Sequence, residues 1–233
     1  MSEKSVDKLV PRVQPIPFYK VFRIAKTQKL AFAENPMRLY LDEFAPEENS
    51  ALQYIVLCLD VIRQIDSGVA LMVDDGDAVL LGRTPPNTSS PPSLLSRIIA
   101  RFESWYMKRL YSPSNPHFPA EGQKRREEFR KRIEEEVDTG LGESKGDMWY
   151  VNVLATRPEA QGKGYASALM RHFADMADST PIWLHSSDYA NTGFYEYMGY
   201  RIRAETMLGE NDESWKHDPV HMTLMVKDGT DAK

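Results

Sequence analysis

The chain holds a single cysteine, Cys58, in 233 residues. A disulfide within the chain is therefore excluded, and a structural zinc site would have to be built mainly from histidine and carboxylates. Cys58 lies in the apolar run Tyr54-Ile55-Val56-Leu57-Cys58-Leu59. That is the setting of a buried, inert thiol, because a reactive cysteine needs electropositive and accessible surroundings. No apolar stretch reaches the ~20 residues that cross a bilayer. The opening from Met1 to Lys8 is polar and charged, with neither the apolar core of a secretory signal nor an arginine-rich amphipathic presequence. The expected location is the cytoplasm, with the nucleus not excluded. An excess of positive charge is also missing: Lys and Arg total 29 against 34 Asp and Glu, for a net charge of -5. The chain thus lacks the counterion-releasing surface of a general nucleic-acid or membrane-surface binder. No internal repeat is visible, and the proline-serine stretch is too short to link two domains.

The length suits one well-buried core, and the reading is a single domain over 1–233 with a loop and helical insertion at about 84–146. Residues 1–14 read as a loose lead-in. Phe18 to Ala25 alternates apolar and polar residues and predicts a strand. Thr27 then caps a short helix through Glu34, which Pro36 interrupts. Ala51 to Ile65 places Leu52, Ile55, Val56, Leu59 and Ile62 at helical spacing, which predicts a helix packed on a sheet by that face. Val69 to Val73 and Ala78 to Leu81 flank Asp74-Asp75-Gly76-Asp77, a hairpin signal. Pro85 to Pro92 can be neither helix nor central strand. Within the insertion, Leu94 to Tyr111 reads as an aromatic-rich helix, broken by Ser112-Pro113-Ser114-Asn115-Pro116. Lys124 to Val137 reads as a charged helix with Phe129, Ile133 and Val137 on one face and a solvated charged face opposite. Strands follow at Met148–Ala155, Ile182–Leu184, Tyr200–Ala204 and His221–Val226, with helices at Gly164–Ala177 and Gly193–Met198. The fold class is α/β, a mixed sheet with helices on its faces.

The most informative segment is Leu154-Ala155-Thr156-Arg157-Pro158-Glu159-Ala160-Gln161-Gly162-Lys163-Gly164-Tyr165-Ala166. A strand ends, a loop turns, and a helix starts at the glycines. Glycine lets the backbone approach a ligand closely. Unpaired amides at a helix start, with the positive end of its dipole, favour a diphosphate. A Walker loop fails because Gly164, not Ser or Thr, follows Lys163. A dinucleotide fingerprint fails because Ser167 stands where its third Gly or Ala belongs. The pattern that fits is Gln/Arg-x-x-Gly-x-Gly/Ala, met by Gln161, Gly164 and Ala166.

With Asn191-Thr192-Gly193-Phe194-Tyr195-Glu196-Tyr197-Met198-Gly199-Tyr200 downstream, these residues resemble the GNAT superfamily of acetyl-CoA-dependent N-acetyltransferases. The likeness is clearest from Trp149 to Tyr200. It implies a GNAT-like acyl-CoA N-acyltransferase fold, acetyl-CoA as co-substrate and no metal. It further implies that backbone amides of Gly162, Lys163, Gly164, Tyr165 and Ala166, with Gln161, hold the CoA pyrophosphate. Backbone groups near Leu154 and Thr156 would pair with the pantetheine arm, and Asn191 would contact that arm or cap the short helix. Tyr195 takes the place of the tyrosine that protonates the departing thiolate, and a phenol near its usual pKa of about 10 is protonated at neutral pH.

An ammonium acceptor must also lose a proton before its nitrogen can attack. Tyr150 stands where several members carry a basic glutamate, so the base is open. His185 leaves the adjacent strand near the expected acetyl group, and His221 is a weaker candidate. Glu103 and Asp147 could instead attract a cationic substrate, and a strand amide near Leu154 could stabilise the oxyanion. The aromatics Phe102, Trp105 and Tyr106 could line an acceptor pocket or pack their helix on the core. The helical insertion resembles puromycin-type and other small-molecule members, so the expected partners are acetyl-CoA and a small amine, without nucleic acid or membrane; a homodimer is left open. Alternatives are a protein or peptide N-acetyltransferase and a non-catalytic CoA-binding regulatory protein.

Overall fold

The computed structural model describes residues 11–45, 50–112, 114–115 and 117–229. The predicted lead-in falls outside this range up to residue 10, as do Pro113 and Pro116. The elements, in chain order, are β1 Gln14–Pro15, α1 Val21–Ala31, α2 Pro36–Asp42, α3 Ser50–Ser67, β2 Val69–Val73, β3 Ala78–Arg83, α4 Leu94–Leu110, α5 Ala120–Gly140, β4 Trp149–Thr156, α6 Tyr165–Ala177, β5 Ile182–Ser186, α7 Thr192–Tyr197, β6 Arg201–Leu208 and β7 Val220–Lys227. The strands form one mixed sheet in the order β1-β2-β3-β4-β5-β7-β6. β4 and β5 run parallel, and the other pairs are antiparallel. The parallel pair needs a crossover, and α6 supplies it.

Each face of the sheet is covered according to side-chain parity. Leu71, Leu80, Val151, Leu184 and Met225 face α6, whose Leu169, Met170 and Phe173 are fully buried against them. On the opposite face, Met72, Val79, Leu81 and Ala155 pack under α1 and α3. Further along that same face, Trp183, Leu224 and Val226 pack beneath Val137 at the end of α5. Burying a leucine or phenylalanine side chain stabilises by about 1.5–3 kcal/mol, so these layers carry most of the favourable free energy.

The N-terminal reading needs correction. Phe18–Lys20 is a 3-10 turn and Val21–Ala31 is helix, not a strand. The segment also carries apolar residues at helical spacing: Val21, Ile24 and Ala25 are buried, while Phe18, Tyr19 and Phe22 face solvent. Two adjacent buried residues, Ile24 and Ala25, belong to a helix stripe and not to an alternating strand. Thr27 is therefore inside α1, buried, with its hydroxyl donating to the Gly76 carbonyl at 2.6 Å, and does not cap a helix. Pro36 starts α2 instead of breaking a helix, and Asn35 caps it by accepting from the Arg38 amide at 3.2 Å.

α3 forms as predicted, but its inward face is rotated. Leu52 and Ile55 are exposed, whereas Cys58 and Val61 are buried. Burial pushes the Cys58 thiol above its ordinary range, in keeping with an inert side chain. Among the described residues, no helix is long and apolar enough to cross a membrane.

The α5 helix is also less solvated than its alternating charges suggest. Arg125 is only 1% exposed in its side chain and lies between Glu43 and Asp212. Its guanidinium donates to the Tyr40 carbonyl at 3.0 Å and Ser214 Oγ at 3.0 Å, and stacks within 5.1 Å of the Trp215 ring. Through these contacts α5 holds α2 and the β6–β7 connection in place. We expect Arg125→Ala to lower stability by about 2 kcal/mol, less than a fully buried pair would because Glu43 and Asp212 retain solvent. Chemical denaturation measures this, and an unchanged midpoint would remove the network from that role.

Candidate active site

The parallel register of β4 and β5 runs from Trp149↔Ile182 to Val151↔Leu184 and stops there. Beyond that point, Val153 to Thr156 pair with β3 alone, while His185 and Ser186 pair with β7 alone. The two strands thus separate into a wedge that opens toward their C-terminal ends. The Arg157 amide donates to the Asp77 carbonyl at 2.9 Å. In an antiparallel ladder, hydrogen-bonded and non-bonded positions alternate. Leu154 and Thr156, opposite Leu80 and Ala78, are therefore non-bonded positions toward β3. Their amides and carbonyls turn into the wedge.

At the mouth of this wedge, the loop from Thr156 enters α6. Gly162 and Gly164 take positive φ values of 74° and 78°, which a side chain would oppose. A β-carbon on either would meet no atom within 4 Å, so space is open above both. The first intrahelical bond runs from the Ala168 amide to the Gly164 carbonyl at 3.0 Å. No side chain caps the helix, and its first turn has no acidic residue. The amides of Gly164, Tyr165, Ala166 and Ser167 are thus left without intrahelical partners. Of these, Gly164 and Ser167 line a cleft of about 620 Å³ together with Gly162, Lys163, Arg171 and His172. The sequence reading missed Arg171 and His172. The signal was there: Ser167 and Arg171, four residues apart in α6, share one helix face. Gln161 is exposed at the loop entry. The Tyr165 hydroxyl donates to Asp74 Oδ2 at 2.6 Å and ties the helix start to the β2–β3 turn.

Tyr195 on α7 packs on the α6 face of the sheet, in the same cluster as Leu154. Its ring lies 5.2 Å from Phe194 and 6.1 Å from Tyr200. Burial pushes its phenol up to about 12, so it holds its proton throughout the ordinary pH range. Asn191 precedes α7, exposed, and makes no side-chain cap bond; the capping role allowed for it is not taken.

His185 lies one residue past the last β4–β5 pair and points to the α5 face, opposite Tyr195. It meets Trp183 edge-on at 5.4 Å, and Trp183 stacks on Tyr150 at 4.1 Å. Its Nε2 sits 3.2 Å from Glu136 Oε2, a carboxylate on α5. Tyr150 is partly buried, with its phenol pushed up by desolvation, and cannot serve as the base.

The remaining candidates are not brought to the wedge. His221 pairs with Glu205 at 3.0 Å and stacks on Tyr189 at 4.1 Å, and it lines a separate cleft at the C-terminal end of β5. Glu103 turns toward α3 and pairs with Arg63 at 3.1 Å. Asp147 accepts from Asn87 at 2.8 Å at the N-terminal end of β4, away from the opening. Phe102 and Trp105 are exposed on α4, Tyr106 of the same helix is buried, and the three line a separate cleft with Leu52 and His117.

A family model described as an acetyltransferase (GNAT) domain matches residues 130–202, from the second half of α5 into β6. A protein of Schizosaccharomyces pombe described as an uncharacterized N-acetyltransferase is 23% identical over 222 residues, covering 88% of this chain and 78% of the relative. Among solved structures, this fold is similar to arylalkylamine N-acetyltransferase 2 of Aedes aegypti, with a TM-score of 0.60 at 14% identity over 94% of this chain and 98% of that one. It is also similar to the Drosophila melanogaster polyamine N-acetyltransferase that forms N-acetylagmatine, with a TM-score of 0.58 at 11% identity over 94% and 99% of the two chains. A Corynebacterium glutamicum protein described as histone acetyltransferase HPA2 and related acetyltransferase gives a TM-score of 0.56 at 19% identity, over 95% and 97%. The solved structures speak to the fold, and the family match falls on the segment that carries both sequence motifs and the wedge. Residues 130–202 match the acetyltransferase (GNAT) domain family, and the fold around them is that of solved N-acetyltransferases.

Proposed function

We propose that the chain transfers an acetyl group from acetyl-CoA to the amine of a small molecule by direct attack. The observation that carries the donor half is the set of unpartnered amides at the start of α6, opening beside the β4–β5 wedge. Amides of Gly162 to Ala166 receive the pyrophosphate, and Lys163 and Arg171 add positive charge. The pantetheine arm lies in the wedge as an added strand and hydrogen-bonds to Leu154 and Thr156. Asn191 contacts the same arm. The thioester then lies between Tyr195 on one face of the sheet and His185 on the other.

The amine approaches from the His185 side. His185 takes a proton from the ammonium, and the freed nitrogen attacks the thioester carbonyl. A wedge-facing amide near Leu154 stabilises the oxyanion. The tetrahedral intermediate collapses, the second proton of the nitrogen passes to the departing sulfur, which leaves as the thiol, and Tyr195 hydrogen-bonds to that sulfur as its charge develops. No acyl-enzyme is needed, and Cys58, buried on the inward face of α3, is not part of the path.

A small amine is supported by a cleft of about 690 Å³ at the C-terminal end of β5, whose lining includes Asp188, Asp218, Tyr189, Trp215, Lys216 and His221. Two carboxylates beside aromatic surface suit a cation on an apolar body, and the volume is that of a small-molecule site. The Aedes and Drosophila proteins, named for arylalkylamine and polyamine acetylation, point the same way. Thiol release from acetyl-CoA, followed across a panel of arylalkylamines, polyamines and peptides, tests this. Turnover with small primary amines is expected. Turnover with peptides alone would overturn the acceptor class, and stabilisation by CoA without turnover would overturn catalysis.

A further inference from the structure

We propose that Glu136 is the positioning residue for His185, holding the imidazole with Nε2 protonated and Nδ1 open to the acceptor amine. This rests on the reading of His185 as the base. Glu136 lies on α5, one residue before Val137, which packs on the sheet beside Trp183. Its side chain is 1% exposed and that of His185 13%. Neither carboxylate oxygen of Glu136 has a hydrogen-bond donor, and Nε2 of His185 is likewise buried and unpartnered. They stand 3.2 Å apart, within ion-pair distance but out of hydrogen-bonding alignment.

A buried carboxylate with no donor is unfavourable unless a counter-charge or proton is shared with it. The imidazole is the group placed to share one. Beside the ring lie Trp183 on β5, with Tyr150 of β4 stacked behind it, and Leu224 opposite on β7. None of these is a charged group.

The ammonium loses two protons in all, one to His185 and the other to the departing sulfur. With Nε2–H directed at Glu136, the lone pair is on Nδ1. The acceptor ammonium gives a proton to Nδ1, and the nitrogen pair so released forms the new bond to the acetyl carbon. The imidazolium created is neutralised by the Glu136 carboxylate without any transfer of Nε2–H. The Nδ1 proton leaves to solvent after the thiol departs. A carboxylate behind a catalytic imidazole acts in this way in hydrolases of unrelated fold.

The test combines kinetics with nitrogen NMR of the full chain. In the unsubstituted protein, the His185 ring should report the Nε2–H tautomer. Glu136→Gln, which keeps the shape and removes the charge, should lower kcat by about 30-fold with the KM for acetyl-CoA unchanged. Glu136→Asp should recover part of that loss, which a merely structural role would not give. An Nδ1–H tautomer in the unsubstituted protein, or full kcat in Glu136→Gln, would overturn the proposal while leaving acetyl transfer intact. If no amine turns over, the proposed function fails, and the tautomer still decides the pairing. The NMR arm needs no variant, so poor folding of Glu136→Gln does not remove the test.

Discussion

Replacing Tyr195 by phenylalanine is expected to lower kcat by about 100-fold or more while leaving the dissociation constant for CoA within about twofold. Tyr195 is half-buried beside Phe194 and Tyr200, and desolvation pushes its phenol up to about 12. Such a phenol is fully protonated at any working pH and always able to donate. Complete transfer to a thiolate of ordinary pKa, about 8.5, would be uphill. The benefit must therefore come from a hydrogen bond that strengthens as negative charge develops on sulfur, in surroundings that exclude water. An interaction made mainly in the transition state shows in kcat and not in binding. Tyr195→Phe keeps the ring that packs on the core, so the fold is retained. Steady-state kinetics with calorimetric CoA binding decides the matter, and an unchanged kcat would take Tyr195 out of the mechanism.

Gly164→Asp should raise the CoA dissociation constant by about 100-fold, a loss of ~2.7 kcal/mol. The left-handed conformation at Gly164, with φ of 78°, is one that aspartate tolerates better than most residues. Nothing lies within 4 Å of the added β-carbon, so the substitution is not blocked by packing. The carboxylate would accept from the amides of the first turn as a capping residue does, and would repel the diphosphate from them. Gly164→Asn, of the same shape without the charge, should cost about tenfold. Equal affinity in both variants and the unsubstituted protein would show that these amides do not hold the donor.

The parts of the site built from one continuous stretch were legible in the sequence. A strand, two glycines and a helix start lie between Met148 and Ala177, and the tyrosine segment follows in order. Their local chemistry does not depend on the rest of the molecule. The α/β class followed from the same alternation of elements.

What the sequence did not disclose depends on tertiary placement. Phe18 to Ala25 satisfies both a strand and a helix period, and packing of Ile24 and Ala25 under the sheet decides for helix. The inward face of α3 was misplaced because apolar residues occur almost all round it, and the contact with α1 selects Cys58 and Val61. The wedge depends on where pairing between β4 and β5 ends, which no local pattern encodes. Glu136 looked like one more charge on a solvated helix. Its partner, His185, lies in a strand on the far side of α6 in sequence, so only the packing of α5 across the sheet brings the two together. Arg125 was hidden in the same way.

The most direct measurement compares CoA with pantetheine in calorimetric titrations of the unsubstituted protein. If the helix-start amides supply the grip on the donor, CoA binds one per chain and pantetheine, which has the same arm but no diphosphate, binds at least about 100-fold more weakly. Equal affinities, or no binding of CoA at all, would contradict the account.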